Sequence, residues 1–491
     1  MDNVKLYLKI IFFIFLIIQF KLYIISNIYG SQVIKIIEPS KKCHPLSPKT
    51  LYFTSKFRNY NIKEKIKVNN IILKNRKYFV TYYLNSRFQK YLYILKLHGL
   101  LISYLPYSNN NIFLDFARKK YINKLRQNYP INKYQKIYHF IGTKNFFDKD
   151  SLYKNYLKMK KKFDEDFNYM PETYYFPENK NEIFEKFKDY NFNLDNLWLI
   201  KPKNNYGGRG IYLFKSLKQI KANKFVITKY ITNPNLIKQK KYDLRLYILI
   251  TGLKPLIIYL NKEGLVRRAT KNYTLDIKSF NDKFIHLTNT DINRKNKDYI
   301  YPKNSHDEKS NIWNINTYKN YLLRNKINFN KIWEKIKDII IKTIISTMNN
   351  LINEYESVNL KDSNLYYLLG FDILINDKFK PILLEVNYSP SIEIYNKVDE
   401  PIKTNIFIDM LNIVGITPFS HIGKARPFFK EYKFKNDIED YYNSKLCELT
   451  RPRGNFELIF PLKNNIKKYK KYFIKNNEEN NIFWEKILEF N

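Results

Sequence analysis

Glycine, cysteine and acidic side chains are scarce in this chain of 491 residues, which has 12 glycines and two cysteines. Cys43 and Cys447 are too few for a disulfide framework or a metal cluster, and they fit a reducing compartment. Lysine and arginine number 86 against 45 acidic residues, so the formal charge is +41. Such a field attracts polyanions: nucleic acid, acidic membranes or acidic protein tails. The alternative is compositional drift from AT-rich coding.

The sequence also lacks a clear membrane span near its N-terminus. The apolar run at residues 10–18 follows Lys5 and Lys9, but Gln19 and Lys21 interrupt it before it reaches the roughly 20 residues that a spanning helix needs. The pattern is typical of a signal-peptide core. Residues 5–25 therefore raise secretory or organellar targeting, or a membrane contact, as alternatives to an amphipathic or buried helix or a misassigned start.

Three oxygen ligands stand on two apolar strands within residues 366–391. A turn at residues 376–377 predicts a β-hairpin, which would place Asp372 opposite Glu385 and Asn387. Glu385 and Asn387 alternate, so they point to the same face. Two carboxylates and an amide suit Mg²⁺ shared with nucleotide phosphates. The alternative is a strand with an incidental acidic residue.

The remaining pattern interleaves strands and helices, which indicates an α/β or α+β protein. Residues 170–179 contain two prolines and predict an extended loop. Strands are predicted at residues 76–84, 197–202, 211–214, 224–231, 243–250 and 255–260, with a turn at 261–264; helices are predicted near 149–163, 181–190, 331–345 and 403–413.

A phosphate contact is predicted after the strand at residues 197–202. Lys201 stands just before the glycine-rich turn at residues 206–210, where glycines let backbone amides approach phosphate and Arg209 adds charge. The turn matches neither a Walker loop nor a Rossmann fingerprint, so alone it is a weak signal.

Charged residues alternate along the next strand. Lys241, Asp243 and Arg245 share one face, which could grip phosphates and ribose or could be a solvated sheet face. Arg267 follows a predicted turn and could bind an anionic substrate. His286 lies close behind, and a lone histidine is more often structural than catalytic.

Read together, these segments resemble the tubulin tyrosine ligase-like family, whose members carry an ATP-grasp fold. The ordered blocks are WLIKP with YGGRGI, KYDLRLYILIT, EGLVRRAT, HLTN, and GFDILI with KPILLEVNYSPS, and they cover roughly residues 136–415. Residues 332–346 and 395–416 look like the polyglutamylase branch. The resemblance implies four regions: an apolar segment (1–30), a basic N-terminal accessory domain (31–135), the ATP-grasp catalytic region (136–420) and a basic tail (421–491).

The resemblance also implies residue roles, with Arg245, Arg267 and Glu385 as the catalytic set. For ATP it implies Lys201, Arg209 and Gly210 at the phosphates, Thr228, Lys229, Tyr230 and Ile231 at the adenine hinge, Lys241 and Asp243 at the ribose, Arg245 at the transferred phosphate, and Thr288 and Asn289 along the nucleotide. It further implies Mg²⁺ on Asp372, Glu385 and Asn387, and glutamate carboxylates on Arg267 and Lys403.

Two departures from the family pattern bear on substrate use. Thr228 stands where the hinge usually begins with glutamine, which should matter little because backbone groups mostly read adenine. Asp291 follows the HLTN block where Tyr-Ser is typical. A negative charge there brings the preference for glutamate into question more than the use of ATP.

The resemblance implies that ATP converts a side-chain carboxylate of an acidic protein tail, expected to be tubulin's, into an acyl phosphate, which free glutamate attacks to form an isopeptide bond. Glycine or tyrosine ligation, and a non-catalytic microtubule-binding relative, are the alternatives. We expect microtubules as the partner, a cytoplasmic or cytoskeletal location, and no nucleic-acid partner. Basic flanks at residues 158–162 and 467–471 could steer the acidic tail.

Overall fold

The computed structural model describes residues 147–190, 196–202, 208, 210–220, 224–356, 365–416, 437–473 and 478–489, with short segments at 33–37, 50–53, 68–72, 78–82, 91, 100–103, 112–114, 136–138, 419–420 and 426–427. The predictions for the apolar run at residues 5–25 and for Arg209 lie outside these residues. Among the described residues, no helix has the length and apolarity needed to cross a bilayer.

Helices and strands are mixed along the chain, which confirms the α+β expectation. The helices are α1 (Lys149–Phe163), α2 (Lys180–Phe187), α3 (Lys283–His286), α4 (Thr290–Asn293), α5 (Ile315–Arg324), α6 (Phe329–Glu356), α7 (Asp399–Val414), α8 (Asp437–Glu448), α9 (Ile466–Lys470) and α10 (Glu478–Glu489). The strands are β1 (Val33–Ile37), β2 (Thr50–Leu51), β3 (Val68–Ile72), β4 (Tyr78–Tyr82), β5 (Leu100–Ser103), β6 (Ile112–Leu114), β7 (Lys136–Tyr138), β8 (Thr173–Phe176), β9 (Trp198–Pro202), β10 (Tyr212–Phe214), β11 (Phe225–Lys229), β12 (Leu236–Ile237), β13 (Lys240–Leu253), β14 (Leu256–Arg268), β15 (Ile312–Asn314), β16 (Leu365–Ile375), β17 (Pro381–Asn387), β18 (Phe419–Ser420), β19 (Arg426–Pro427) and β20 (Phe456–Phe460).

Two sheets matter for the site. The large sheet has the strand order β15-β14-β13-β16-β7-β6-β4-β5, with β12, β17 and β20 paired to its members. Strands β13, β14, β16 and β17 pair with one another in antiparallel fashion, whereas β16 is parallel to β7. The small sheet has the order β10-β9-β11-β8. Strand β16 is buried at every position, which explains its nearly continuous apolar sequence.

Each sheet contributes to its own hydrophobic core. Helices α6 and α7 share the main core with β13, β14 and β16, and α7 is buried along almost its whole length. A separate cluster under the small sheet contains Ile183 and Phe187 of α2 together with Trp198, Ile200 and Ile227. The small sheet is therefore packed as a unit of its own beside the large one.

Four local predictions need correction. The predicted turn at 261–264 is wrong, because β14 continues through it to Arg268 with a bulge in its pairing to β13. Residues 170–179 contain strand β8 rather than loop alone. The helix predicted at 331–345 extends to Glu356, since apolar residues continue at helical spacing. Cys447 is disulfide-bonded, which does not fit the reducing compartment that the low cysteine content favoured.

Candidate active site

The predicted hairpin is confirmed by the pairing of β16 with β17. Asp372 lies directly opposite Glu385, and Gly370 lies opposite Asn387. The amide Nδ2 of Asn387 donates to Oδ2 of Asp372 at 3.3 Å. The two carboxylates and the amide therefore meet on one face of the hairpin, as the alternation of side chains requires.

Asp372 is held by two arginines from neighbouring strands. Arg245 donates to its two oxygens from Nε at 2.5 Å and from Nη2 at 2.9 Å. Arg267 Nη2 lies 3.0 Å from Asp372 Oδ2 and 2.5 Å from Asp243 Oδ2. Burial opposes ionisation of Asp372, but the two guanidinium groups outweigh it and lower its pKa to about 2. Asp372 is therefore a carboxylate at neutral pH.

Glu385 has a different environment from its cross-strand neighbour. Burial and the Asp372 carboxylate raise its pKa, while Lys149 and Lys201 act in the opposite direction. Within the described part of the chain, its carboxyl group has no hydrogen-bond or ion-pair partner. A cation beside Glu385 would relieve this repulsion, so the residues fit a divalent metal.

The side-chain oxygens available at this position limit which metal ion could bind. No group of three or more His, Cys, Asp or Glu side chains suited to a metal occurs among the described residues. A cation at Asp372, Glu385 and Asn387 would need further oxygens from phosphate or water. This coordination is typical of Mg²⁺, which proteins usually bind through one or two carboxylates together with substrate phosphates.

An open cavity of about 100 Å³ lies between the small sheet and the hairpin. Its lining includes most of the residues assigned from the sequence to the nucleotide, the metal or the glutamate: Lys201, Thr228, Lys229, Tyr230, Ile231, Lys241, Asp243, Arg267, Thr288, Asn289, Asp372 and Glu385. Gly208 and Ile211 line it in place of the predicted Gly210, and Asn387 lines an adjoining part of about 120 Å³. Arg245 lies outside the lining, behind Asp372.

Buried lysines give the cavity its electrostatic character. Burial lowers the pKa of Lys201 to about 8. Burial also lowers the pKa of Lys241 to about 7, with Asp243 opposing this shift and Lys201 adding to it. An anion bound near these two lysines would raise both pKa values again, because a nearby negative charge favours the protonated form.

Apolar side chains cover the other part of the cavity. Leu199 of β9 and Leu374 and Leu384 of the hairpin line it beside the hinge residues 229–231. This arrangement suits a flat base. The hydroxyl of Thr228 lies 2.6 Å from that of Thr173 in the neighbouring strand β8, so its side chain is already used within the small sheet.

Lys403 lies apart from this cavity, at the first turns of α7. Its ammonium group donates to the carbonyl oxygen of Glu393 at 2.5 Å and lies 3.1 Å from the Asp399 carboxylate. Asp291 forms an ion pair of 3.0 Å with Arg294, whose guanidinium lies over the ring of Tyr395. Arg294 therefore balances the charge of Asp291 that raised doubt about glutamate.

Two residues that line the cavity were not predicted from the sequence to be functional. Lys149, the first residue of α1, lines both parts of the cavity, and its Nζ donates to the carbonyl oxygen of Pro202 at 3.3 Å. Nothing in the spacing distinguished it from the other lysines. His286 was noticed in the HLTN block but was interpreted as structural, although it also lines the cavity.

Residues 124–422 match the model of the tubulin-tyrosine ligase family. The chain belongs to this family. It is 34% identical over 287 residues to the mouse "Tubulin monoglutamylase TTLL4", 31% identical over 373 residues to a "Probable beta-tubulin polyglutamylase" of Tetrahymena thermophila, and 31% identical over 367 residues to the human "Tubulin polyglutamylase TTLL6".

These matches cover 58%, 70% and 71% of this chain, but only 24%, 31% and 40% of the relatives' own lengths. The resemblance to the tubulin tyrosine ligase-like family, drawn from the sequence blocks, is thus confirmed, including the likeness to its polyglutamylase branch. The family match contains the hairpin, the HLTN block and every described residue that lines the cavity.

Proposed function

We propose that the chain is an ATP-dependent ligase of the ATP-grasp type that adds glutamate to side-chain carboxylates of an acidic tubulin tail. The observation that carries the proposal is the cavity, which has buried lysines on one side and the Asp372–Glu385 pair on the other. The relatives named as tubulin glutamylases support the choice of amino acid and acceptor.

The nucleotide end of the site follows from the lining. Lys201 would neutralise phosphate oxygens, Lys241 and Asp243 would contact the ribose, and the leucines at positions 199, 374 and 384 would cover the base. Mg²⁺ on Asp372, Glu385 and Asn387 would offset negative charge on the transferred phosphate. Arg245 and Arg267 keep Asp372 ionised and fixed in position. This metal-binding carboxylate is therefore in place before the nucleotide binds.

ATP is required because a carboxylate does not react with an amine at neutral pH. Transfer of the terminal phosphoryl group of ATP to the acceptor carboxylate would give an acyl phosphate and ADP. The neutral amine of glutamate would then attack the acyl carbon, so that phosphate and a proton leave and an isopeptide bond remains. Thr288, which donates to Asp243 at 2.8 Å, and Asn289 would line this end of the nucleotide. Positioning of the reacting groups supplies much of the rate.

Lys403 and Arg267 are the proposed contacts for the carboxylates of the incoming glutamate. Both are already engaged with protein carboxylates, Lys403 with Asp399 and Arg267 with Asp243 and Asp372. Glutamate binding would therefore share these cations or displace one partner. The pairing of Asp291 with Arg294 supports glutamate, because it removes an unbalanced negative charge from this side.

The basic flanks are the proposed steering surface for an acidic tail. The ring centroids of Phe163, at the end of α1, and Tyr472 lie 5.0 Å apart. This contact brings the two lysine-rich segments near each other. Lys468 and Lys471 already pair with Asp338 and Asp166. Steering would then rest on the other lysines of these segments and would weaken with salt. Action on tubulin would place the protein at microtubules.

Transfer of labelled glutamate to purified microtubules, with and without Mg-ATP, tests the proposal. The parent protein should incorporate label only with Mg-ATP. Glu385→Gln should abolish incorporation, whereas Glu182→Gln, at an exposed position on α2, should behave as the parent. Unlabelled glycine and tyrosine added in competition should not reduce the signal. Microtubule binding without transfer of any amino acid would leave a non-catalytic relative instead.

A further inference from the structure

His286 belongs to a chain of hydrogen bonds that no assigned role explains. Its Nδ1 lies 2.9 Å from the hydroxyl oxygen of Tyr230, and that oxygen accepts a bond of 3.0 Å from the ammonium group of Lys241. On the other side of the ring, Nε2 lies 3.2 Å from Oγ of Ser279. The side chains of Tyr230, Lys241 and His286 all line the nucleotide cavity.

The donors and acceptors of this chain can be matched when Lys241 is charged. Its ammonium group then donates to the Tyr230 oxygen, and the single hydrogen of Tyr230 can go to Nδ1 of His286. The hydroxyl of Tyr273 also pairs with that of Tyr230, and it gives its own hydrogen to the carbonyl oxygen of Thr232. In the arrangement that we infer, the Tyr230 hydrogen goes to His286. Nδ1 is then unprotonated, and Nε2 carries the hydrogen and donates to Ser279. The Ser279 hydroxyl donates in turn to the carbonyl oxygen of Asp276 at 2.6 Å. The donors and acceptors therefore match from Lys241 to the backbone.

The surroundings keep His286 neutral and immobile. Phe280 stacks on its ring with centroids 4.8 Å apart and planes at 8°. Burial and the positive charge of Lys241 lower its pKa to about 4, while Asp282 opposes this effect. Tyr273 meets the ring edge-on. A neutral imidazole with a free Nδ1 is the form that the hydrogen-bond chain requires.

We propose that His286 is a positioning residue for the nucleotide: it orients the Tyr230 hydroxyl so that its lone pair faces Lys241 and holds that ammonium group towards the nucleotide. The inference rests on the proposed function, because it assumes an anionic nucleotide at Lys241. The ammonium group also lies 4.2 Å from the centroid of the Tyr230 ring. Tyr230 thus holds Lys241 from two directions, and His286 sets the rotation of its hydroxyl.

The experiment compares His286→Phe with His286→Asn in the full chain. Phenylalanine keeps the flat ring against Phe280 but offers no acceptor, whereas the amide oxygen of asparagine can occupy the position of Nδ1. We expect His286→Phe to bind Mg-ADP about fivefold to tenfold more weakly by titration calorimetry, as for loss of one hydrogen bond between neutral groups. His286→Asn should bind as the parent does.

A double-mutant cycle with Tyr230→Phe separates positioning from packing. If His286 acts through the hydroxyl, Tyr230→Phe alone should weaken Mg-ADP binding, and adding His286→Phe should cause no further loss. In steady state, the KM for ATP should rise while kcat changes less than about twofold. Multiplying effects in the double variant, or binding by His286→Phe equal to that of the parent, would overturn the inference.

The remaining outcomes are also decisive. If His286→Phe does not fold, the other two variants still test the inference. Tyr230→Phe must then bind Mg-ADP more weakly than the parent, and His286→Asn must bind it as the parent does. A parent protein that binds Mg-ADP but transfers no glutamate would refute the proposed function and leave the role of His286 standing. Glutamate transfer with unchanged nucleotide binding in Tyr230→Phe would refute the role of His286 alone.

Discussion

Replacing the two paired carboxylates of the hairpin by their amides should have opposite effects on stability. Asp372 accepts two hydrogen bonds from Arg245 and forms an ion pair with Arg267, and all three side chains are largely buried. Glu385 has no such partner among the described residues, and its pKa is raised by burial and by Asp372. The first carboxylate stabilises the fold, whereas the second opposes it.

The expected change in the free energy of unfolding depends on which charged partners remain in each variant. In Asp372→Asn, Arg267 keeps Asp243, but Arg245 is left as a buried cation without its carboxylate. Breaking a buried ion pair in this way costs about 3 to 5 kcal/mol, and the retained Asp243 places the loss near 3. Glu385→Gln loses no hydrogen bond and removes a like-charge contact, so the free energy of unfolding should be unchanged or higher.

The assay is urea unfolding of the protein without nucleotide, in a metal chelator, at pH 7. The same unfolding with Mg-ADP in buffer without chelator provides a second reading, since a ligand that binds only the folded state raises the urea concentration at the unfolding midpoint. Mg-ADP should stabilise the parent and fail to stabilise Glu385→Gln. A loss of stability in Glu385→Gln as large as that in Asp372→Asn would refute this description of the pair.

Three further predictions follow from the cavity and the sheet. Because the pKa of Lys241 is lowered to about 7, its protonated form is lost as pH rises, so Mg-ADP affinity should fall at least about tenfold between pH 7 and 8.5; calorimetry should show a shallower fall in Lys241→Arg, where only Lys201, with a pKa of about 8, still loses its charge, and a flat parent profile would contradict the assignment. Lys403→Met should raise the KM for glutamate at least about tenfold in transfer kinetics without weakening Mg-ADP binding; weaker Mg-ADP binding would indicate that Lys403 contacts the nucleotide instead of glutamate. A Cβ on Gly264 would lie 2.6 Å from the carbonyl oxygen of Arg245, so Gly264→Ala should lower the free energy of unfolding by about 1 to 3 kcal/mol; the exposed neighbour variant Lys262→Ala should change it little, and equal stability of the two would show that the bulge can relax.

The sequence predicted the hairpin because its signal is local. An apolar run, a turn and a second apolar run place Asp372 against Glu385 through backbone pairing alone, and β16 pairs with β17 in that register. The alternation of Lys241 and Asp243 likewise predicted one face of β13, and both side chains line the cavity. Periodicity and turn chemistry act over a few residues, so they can be read from the chain.

The parts that could not be predicted depend on packing between distant segments. Lys149 reaches the cavity only because α1 lies beside the small sheet, and no local pattern encodes that placement. The bulge at 261–264 contains asparagine and glycine, which also favour turns, and only pairing with β13 and β20 shows that the strand continues. Tertiary pairing overrode local turn chemistry there.

The partners of the arginines were also beyond sequence reasoning. Arg267 was assigned to an anionic substrate, and its guanidinium is placed between Asp243 and Asp372. Three different strands bring these groups together, so their contact depends on the register of β13 with β14 and with β16. The substrate role of Arg267 stays a prediction that must include these two carboxylates.

Coupling between ADP formation and glutamate incorporation tests the central claim most directly. Purified protein, Mg-ATP, glutamate and microtubules should give ADP and protein-bound glutamate in equal amounts, and both products should disappear together in Glu385→Gln. Release of ADP with no glutamate bound to protein, or incorporation that persists without ATP, would contradict the account.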